Sequence, residues 1–367
     1  MLLVILSIVG VIGIAGVGIL NQPQFGKIPS GERLERIEKS PHYKDGHFQN
    51  EIPTTTMTTD KGMLSIWWDF LFKNYPNTVP DSGQIQIIKT DLSKLDKNKD
   101  LILWFGHSSY LIQAAGKRYL VDPVFYAGAP FQFINKAFPG TQVYTPEDIP
   151  DIDFLIISHD HFDHLDYKTV TQIKDRVGHV VTGLGVGSHL EYWGYSANKL
   201  TELDWNESAS FADGIQIHCL PARHFSGRSL FQTKTLWASF VLETPSGKIY
   251  IGGDSGYGPH FARIGTQFPN LDLAILENGQ YDENWANIHT MPRELPLIAK
   301  DLNAKRYMTV HNSKFKLANH SWDEPLKNAE ALRSQGFDVL MPTIGEAVEW
   351  KKAIVSPEQK TVEPVEN

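Results

Sequence analysis

From Leu101 onward the chain alternates short apolar runs with polar or Gly-containing breaks. Leu101-Ile102-Leu103-Trp104-Phe105, Tyr110-Leu111-Ile112-Gln113 and Arg118-Tyr119-Leu120-Val121 are split by such turns and are predicted strands. Asp153-Phe154-Leu155-Ile156-Ile157-Ser158 is almost wholly apolar, which predicts a strand buried on both faces. A helix over Tyr167 to Arg176 and a strand at Val180-Val181-Thr182 follow. Further strands are expected at Ile215 to Leu220, Ala238 to Glu243, Lys248 to Gly252, Leu273 to Leu276 and Tyr307 to Val310. Helices are expected at Phe261 to Ile264, Pro292 to Leu302 and Glu324 to Ser334. Strand-rich halves with helices between them predict an α/β fold: a four-layer αββα sandwich of helix, sheet, sheet and helix.

The preceding part has a different texture. Residues 21–100 are rich in Pro, Thr, Asn and Lys and read as a linker and wrapping arm. Within it, Met63 to Phe72 is an aromatic helix candidate, expected to pack on the main domain or to rest at a membrane surface. Met1 to Leu20 carries no charged side chain and, as a helix, would span about 30 Å, the thickness of the hydrocarbon core. No Lys or Arg precedes this run, and Leu20-Asn21-Gln22-Pro23 is a poor cleavage site, so residues 1–20 are expected to be an uncleaved, single-pass transmembrane anchor rather than a signal peptide. Lys27, Arg33, Arg36 and Lys39 interleave with Glu32, Glu35 and Glu38, which leaves the side of the membrane open. The hydrolase domain is placed at 101–355, and the charged, Pro-containing tail 356–367 is expected to be disordered.

Composition narrows the chemistry. With 41% hydrophobic and 21% charged residues the chain is that of an ordinary globular protein, and its 367 residues are too many for one small domain. A formal net charge of -8 argues against coating nucleic acid, which needs a basic face. The single cysteine, Cys219, excludes an intrachain disulfide framework and a multi-cysteine zinc site, and its apolar run Ile217-His218-Cys219-Leu220 marks it as a core thiol.

The strongest chemical signal is Ser158-His159-Asp160-His161-Phe162-Asp163-His164, lying after a buried strand and before a helix. Imidazole nitrogen and carboxylate oxygen suit Zn²⁺, and also Fe or Mn. In extended chain His159 and His161 point the same way and can grip one ion; Asp163 and His164, past the turn, can reach a second. Two ions need further ligands, and three strand ends offer them: His224 in Pro221-Ala222-Arg223-His224, Asp254 after Tyr250-Ile251-Gly252-Gly253, and His311 after Arg306 to Val310. Each alone reads as readily as a cap or ion-pair partner; their joint fit is the argument. Gly253-Asp254-Ser255-Gly256 also matches the nucleophile segment of chymotrypsin-like proteases, but that reading leaves the His-rich run unexplained. Gly183 to Ser188 hints at a dinucleotide loop without the required Gly spacing, and a strand-to-helix turn is the better reading.

The His-x-His-x-Asp-His run, with Gly106-His107-Ser108-Ser109-Tyr110 before it and Gly253-Asp254-Ser255-Gly256-Tyr257 after it, resembles the metallo-β-lactamase superfamily. Asp122-Pro123-Val124-Phe125, Pro221 to His224, and His311 with Leu317-Ala318-Asn319 narrow the resemblance to the branch of N-acylphosphatidylethanolamine-hydrolysing phospholipase D and its bacterial relatives. It covers roughly Leu101 to Pro325. The resemblance implies His159, His161 and His224 on one zinc, Asp163, His164 and His311 on the other, and Asp254 bridging. It also implies a metal-bridging hydroxide attacking a phosphodiester, a phospholipid substrate, a bacterial inner-membrane setting and, as in the lipid-hydrolysing relatives, a homodimer. His289 is the candidate proton donor or substrate ligand, and His107 a candidate for orienting a ligand. Glu277-Asn278-Gly279-Gln280-Tyr281 and Asn312-Ser313-Lys314 depart from the lipid enzyme, so substrate specificity is the open part. The rival readings are a lactone or carboxylic-ester hydrolase on the same metals and a non-catalytic metal-binding scaffold.

Overall fold

The computed structural model describes residues 16–351 apart from 63–64, 66–67, 69–72, 74 and 230. Most of the expected anchor (1–20), most of the aromatic helix candidate (63–72) and the tail 356–367 therefore lie outside the described residues, although 16–20 are helical. Among the described residues no helix is long and apolar enough to cross a membrane.

Two seven-stranded sheets build the body. The first half of the domain supplies β3 (Leu101–Trp104), β4 (Tyr110–Ala114), β5 (Lys117–Val121), β6 (Ile152–Ile157), β7 (Val177–Gly183) and β8 (Leu200–Leu203). The second supplies β9 (Ser208–Ser210), β10 (Gln216–Leu220), β11 (Ser239–Thr244), β12 (Gly247–Ile251), β13 (Leu273–Glu277), β14 (Tyr307–Val310) and β15 (Val339–Leu340). The last strand, β16 (Ala347–Glu349), returns to the first sheet, giving the orders β16-β3-β4-β5-β6-β7-β8 and β15-β14-β13-β12-β11-β10-β9. Both sheets follow one plan: antiparallel pairing up to β5 or β12, then parallel pairing through β6-β7-β8 or β13-β14-β15. A hairpin of β1 (Tyr43–Lys44) and β2 (His47–Phe48) stands apart in the arm.

The alternation of side chains across each strand produces three apolar layers. Ile102, Ile112, Phe154 and Ile156 of the first sheet meet Ile217, Phe240, Ile251 and Ile275 of the second in the central core. The opposite faces are covered by helices. Leu155, Ile157 and Val180 pack under α2 (Tyr167–Ile173) and α3 (Gly187–Tyr192). Val241, Ala274 and Leu276 pack under α4 (His260–Gln267), α5 (Leu295–Leu302) and α6 (Glu324–Ser334). Strand β6 contributes to the central core and to the outer layer alike, so its unbroken apolar run follows from burial on both faces. The expected helix, sheet, sheet, helix layering is what the chain forms. The arm adds α1 (Glu32–Glu38), whose Ile37 is buried in the central core together with Phe48.

Candidate metal centre

Parallel strands end together, and residues just past their ends converge at one edge of the two sheets. The loop after β6 carries His159, His161, Asp163 and His164; the segments after β10, β12 and β14 carry His224, Asp254 and His311. The structure brings all seven together. His161 Nδ1 lies 2.9 Å from His159 Nε2 and 3.2 Å from His224 Nε2. On the other side, His164 Nε2 lies 3.6 Å from Asp163 Oδ2, and its ring stacks on that of His311 at 5.1 Å between centroids. Asp254 stands between the two groups. Its Oδ1 is 3.2 Å from His164 Nε2 and 3.3 Å from His311 Nδ1, and its Oδ2 is 3.7 Å from His224 Nε2 and 4.0 Å from His159 Nε2.

Local backbone geometry aims these groups. Gly253 takes a left-handed φ of +59°, and a Cβ there would stand 2.9 Å from the Ala238 carbonyl oxygen, so the turn that presents Asp254 requires glycine. His311 itself holds φ at 71° and His107 at 53°, conformations that cost a β-carbon-bearing residue energy unless neighbours enforce them. Here two main-chain hydrogen bonds do so: His107 N–H donates to Asn312 O at 2.8 Å, and His311 N–H donates to His107 O at 2.9 Å.

A further shell of partners orients the imidazoles. Asp122, just beyond β5, accepts from Ser158 N and Oγ at 2.8 and 2.6 Å and lies 2.8 Å from His164 Nδ1. Ser158 Oγ also lies 3.0 Å from His159 Nδ1, Ser108 Oγ lies 2.9 Å from His311 Nδ1, and the Ile288 carbonyl lies 2.8 Å from His224 Nδ1. His107 Nε2 lies 2.9 Å from Asp163 Oδ2. Asp160, inside the motif, faces away from the ligands: it accepts from Gly227 N at 2.6 Å and Thr235 Oγ1 at 2.9 Å, and pairs with His189 Nε2 at 3.0 Å.

Nothing in the sequence marks a role for Asp122, Ser158, Ser108 or Asp160. Only their position beside ligands reveals one, because each acts across a gap in sequence that periodicity cannot bridge. The arm was also given no part in the site. Yet Asn50 accepts from His224 N at 3.1 Å and donates to His224 O at 2.8 Å. Thr56 and Met57 line the cavity above the histidines.

Electrostatics suits a cation. Burial, reinforced by neighbouring imidazoles, holds His159 well below the usual histidine range; His224 and His311 are likewise held well below it by burial, against the pull of Asp254. These rings are therefore neutral, with lone pairs to offer. Burial alone would raise Asp254, but His164 and His311 outweigh it and keep the carboxylate ionised; His164 and His107 do the same for Asp163. Burial would lower His164, yet Asp254 and Asp163 drive it well above its ordinary value. His164 Nε2 and Asp254 Oδ1 face each other at 3.2 Å and, among the described residues, neither has a further hydrogen-bond partner, which leaves both open to a cation. The donor set, all nitrogen and carboxylate oxygen and grouped in threes and fours within coordinating reach, fits a pair of divalent ions.

Above these groups lies a cavity of about 310 Å³, walled by Met57, Phe225, Trp285, Ile288 and Leu317, with His289 on its side. A larger cavity of about 830 Å³ lies against α2 and is lined by none of the seven candidate ligands. His289 Nδ1 contacts Glu277 Oε1, and Glu277 is the first residue of the segment read from sequence only as a departure. Burial and the nearby Asp254 push the Glu277 carboxyl up to about 7.

The comparisons agree with this geometry. An uncharacterized protein of Mycobacterium tuberculosis is 35% identical over 320 residues, 85% of each chain. The N-acyl-phosphatidylethanolamine-hydrolyzing phospholipase D 1 of Caenorhabditis elegans is 32% identical over 226 residues, covering 57% of this chain and 62% of its own. Among solved structures, a metallo hydrolase from the archaeon Ignicoccus hospitalis superposes with a TM-score of 0.53 at 20% identity, over 68% of this chain and 97% of its own, which shows a shared fold. Residues 117–312 match the family model described as the β-lactamase superfamily domain. With that match, the layered sheets and the clustered histidines and aspartates, the chain belongs to the metallo-β-lactamase superfamily, whose members include the hydrolases of N-acylphosphatidylethanolamine.

Proposed function

We propose that this chain is a zinc-dependent phosphodiesterase that cleaves N-acylphosphatidylethanolamine-type phospholipids in the manner of a phospholipase D. The observation that carries the reading is the placement of Asp254 between two groups of ligands, beneath a cavity with apolar walls. The relatives that hydrolyse this lipid support the substrate class.

His159, His161 and His224 would hold one ion and Asp163, His164 and His311 the other, with Asp254 shared. Bound there, two divalent ions supply Lewis acidity and lower the pKa of a coordinated water toward about 7. Zinc suits this donor set, as would iron or manganese. The chain's own residues do the rest. Asp122, Ser158, Ser108 and the Ile288 carbonyl hold the imidazoles in their orientation. Met57, Phe225, Trp285 and Leu317 exclude water and receive the apolar part of the substrate. His289 gives a proton to the departing alkoxide. The uncharged segment 1–20 would tether the enzyme to the bilayer that supplies its substrate.

Incubating the metal-loaded protein with N-acylphosphatidylethanolamine and with a lactone panel tests the activity. Release of phosphatidic acid supports the reading; turnover of lactones alone overturns it in favour of a carboxylic-ester hydrolase. Deleting the residues before Gln22 should shift the protein from the membrane to the soluble fraction; continued membrane association would remove the tether.

A further inference from the structure

Glu277 is buried to 3% exposure at the end of β13, where a carboxylate needs strong reasons to be. Its oxygens are both engaged. Oε2 accepts from Ser255 N at 2.8 Å and from Thr290 N at 3.3 Å, while Oε1 meets His289 Nδ1. The segment around His289 is fixed on either side. The Ile288 carbonyl is held by the His224 ring at 2.8 Å, and Thr290 Oγ1 donates to Ser255 O at 2.7 Å. The His289 ring lies parallel to that of His311, at 5.5 Å and 20°, and it lines the cavity above the metal ligands. With Nδ1 committed to Glu277, Nε2 is the nitrogen left for whatever occupies the cavity.

Two uses of this pair are open. Glu277 and His289 stand within coordinating reach of Asp254 and His311 and could themselves be ligands. Their mutual contact argues otherwise, because a carboxylate oxygen and an imidazole nitrogen already bonded to each other have their lone pair and proton occupied.

We infer that Glu277 is a positioning residue: it accepts from His289 Nδ1–H and so orients the doubly protonated ring with its Nε2–H facing the leaving-group oxygen. This deepens the phosphodiesterase reading and rests on it. In the step, the oxygen of water bonds to phosphorus and its proton passes to solvent, while the phosphorus–oxygen bond to the leaving group breaks. The departing oxygen keeps that electron pair and takes the Nε2 proton. The ring is left as the Nδ1–H tautomer bonded to the Glu277 carboxylate, and it regains its proton from solvent.

The test compares the metal-loaded wild type with Glu277→Gln, Glu277→Asp and His289→Asn on two phosphodiesters, one with an alkyl and one with a nitrophenyl leaving group. The latter departs without proton assistance. Glu277→Gln and His289→Asn should each lower kcat on the alkyl diester by about 10²- to 10³-fold, with KM nearly unchanged and the nitrophenyl diester little affected. Glu277→Asp should recover part of the loss. Independently of turnover, metal per chain should equal that of the wild type, and in ¹⁵N-histidine-labelled protein the strongly deshielded Nδ1 proton of His289 should vanish in Glu277→Gln. Loss of metal in Glu277→Gln, or equal losses on both diesters, overturns the assignment. If the wild type cleaves neither diester but opens lactones, the phosphodiesterase reading falls. The same variants are then read on alkyl and nitrophenyl carboxylic esters, where the same selectivity supports the pair and its absence overturns it.

Discussion

The two halves of the sandwich share a strand plan but spend it differently. In the first, four candidate ligands sit in one loop after β6. In the second, three candidate ligands are spread one apiece over the ends of β10, β12 and β14. The equivalent strands β5 and β12 both end near an aspartate: Asp122 in the first half buttresses Ser158 and His164, and Asp254 in the second faces the ligands themselves. The same position in the plan thus supports ligands in one half and supplies one in the other. A contiguous loop can be oriented by a single carboxylate from below, whereas scattered ligands need a central group that touches them all.

The comparison can be broken most sharply at its centre. Asp254→Asn should cost more activity and more metal than Asp163→Asn, because Asp254 faces both groups and Asp163 one. Both losses should exceed the roughly 10- to 100-fold typical of an outer partner, with the fold intact by circular dichroism. Unchanged kinetics in Asp163→Asn would refute its place among the ligands. Next comes Asp122→Asn, expected to lower metal affinity by about 10- to 100-fold in a chelator competition; an effect as large as that of Asp254→Asn would erase the distinction between the halves.

Stability sharpens the contrast from another side. Ile156 and Ile275 lie in one central core, on opposite sheets. Each, changed to Ala, should cost about 2–5 kcal/mol in urea unfolding, and a single transition in both would show that the halves unfold together. The smallest effect concerns Lys314, 1% exposed, whose ammonium donates to Val124 O at 2.8 Å and Phe105 O at 3.3 Å. Burial pushes it down to about 7. The unfolded chain keeps that proton up to about pH 10, so between these values the unfolded state binds more protons and stability rises with pH. Lys314→Met should flatten this rise, a difference of about 2 kcal/mol between about pH 7 and about pH 9 in urea midpoints.

What could be read from sequence follows the same division. The β6 strand, its loop and α2 announce themselves because a doubly buried strand, a dense ligand run and a capped helix are local events. Helix α6 and strand β14 were expected at the bounds they occupy, since their apolar spacing is regular. Strands β8 and β9 escaped: Thr201 and Glu202 are only partly buried, and Ser208 and Ser210 are exposed, so no apolar alternation marks them. In the site, the scattered ligands were reachable only as polar residues at strand ends. Nothing along the chain ties Glu277 to His289 a dozen residues later, so its part in the site is not legible there. Asn50 is further still from the histidine it braces.

The seam where the halves meet beneath the ligands is made of main-chain atoms, His107 N to Asn312 O and His311 N to His107 O. Mutation can exchange the side chain at 107 or 311 and leave both bonds in place, provided the newcomer tolerates the left-handed backbone that both positions hold, as glycine or asparagine does. Stitching of this kind lies beyond the reach of side-chain replacement. Either half produced without the other would forfeit it entirely.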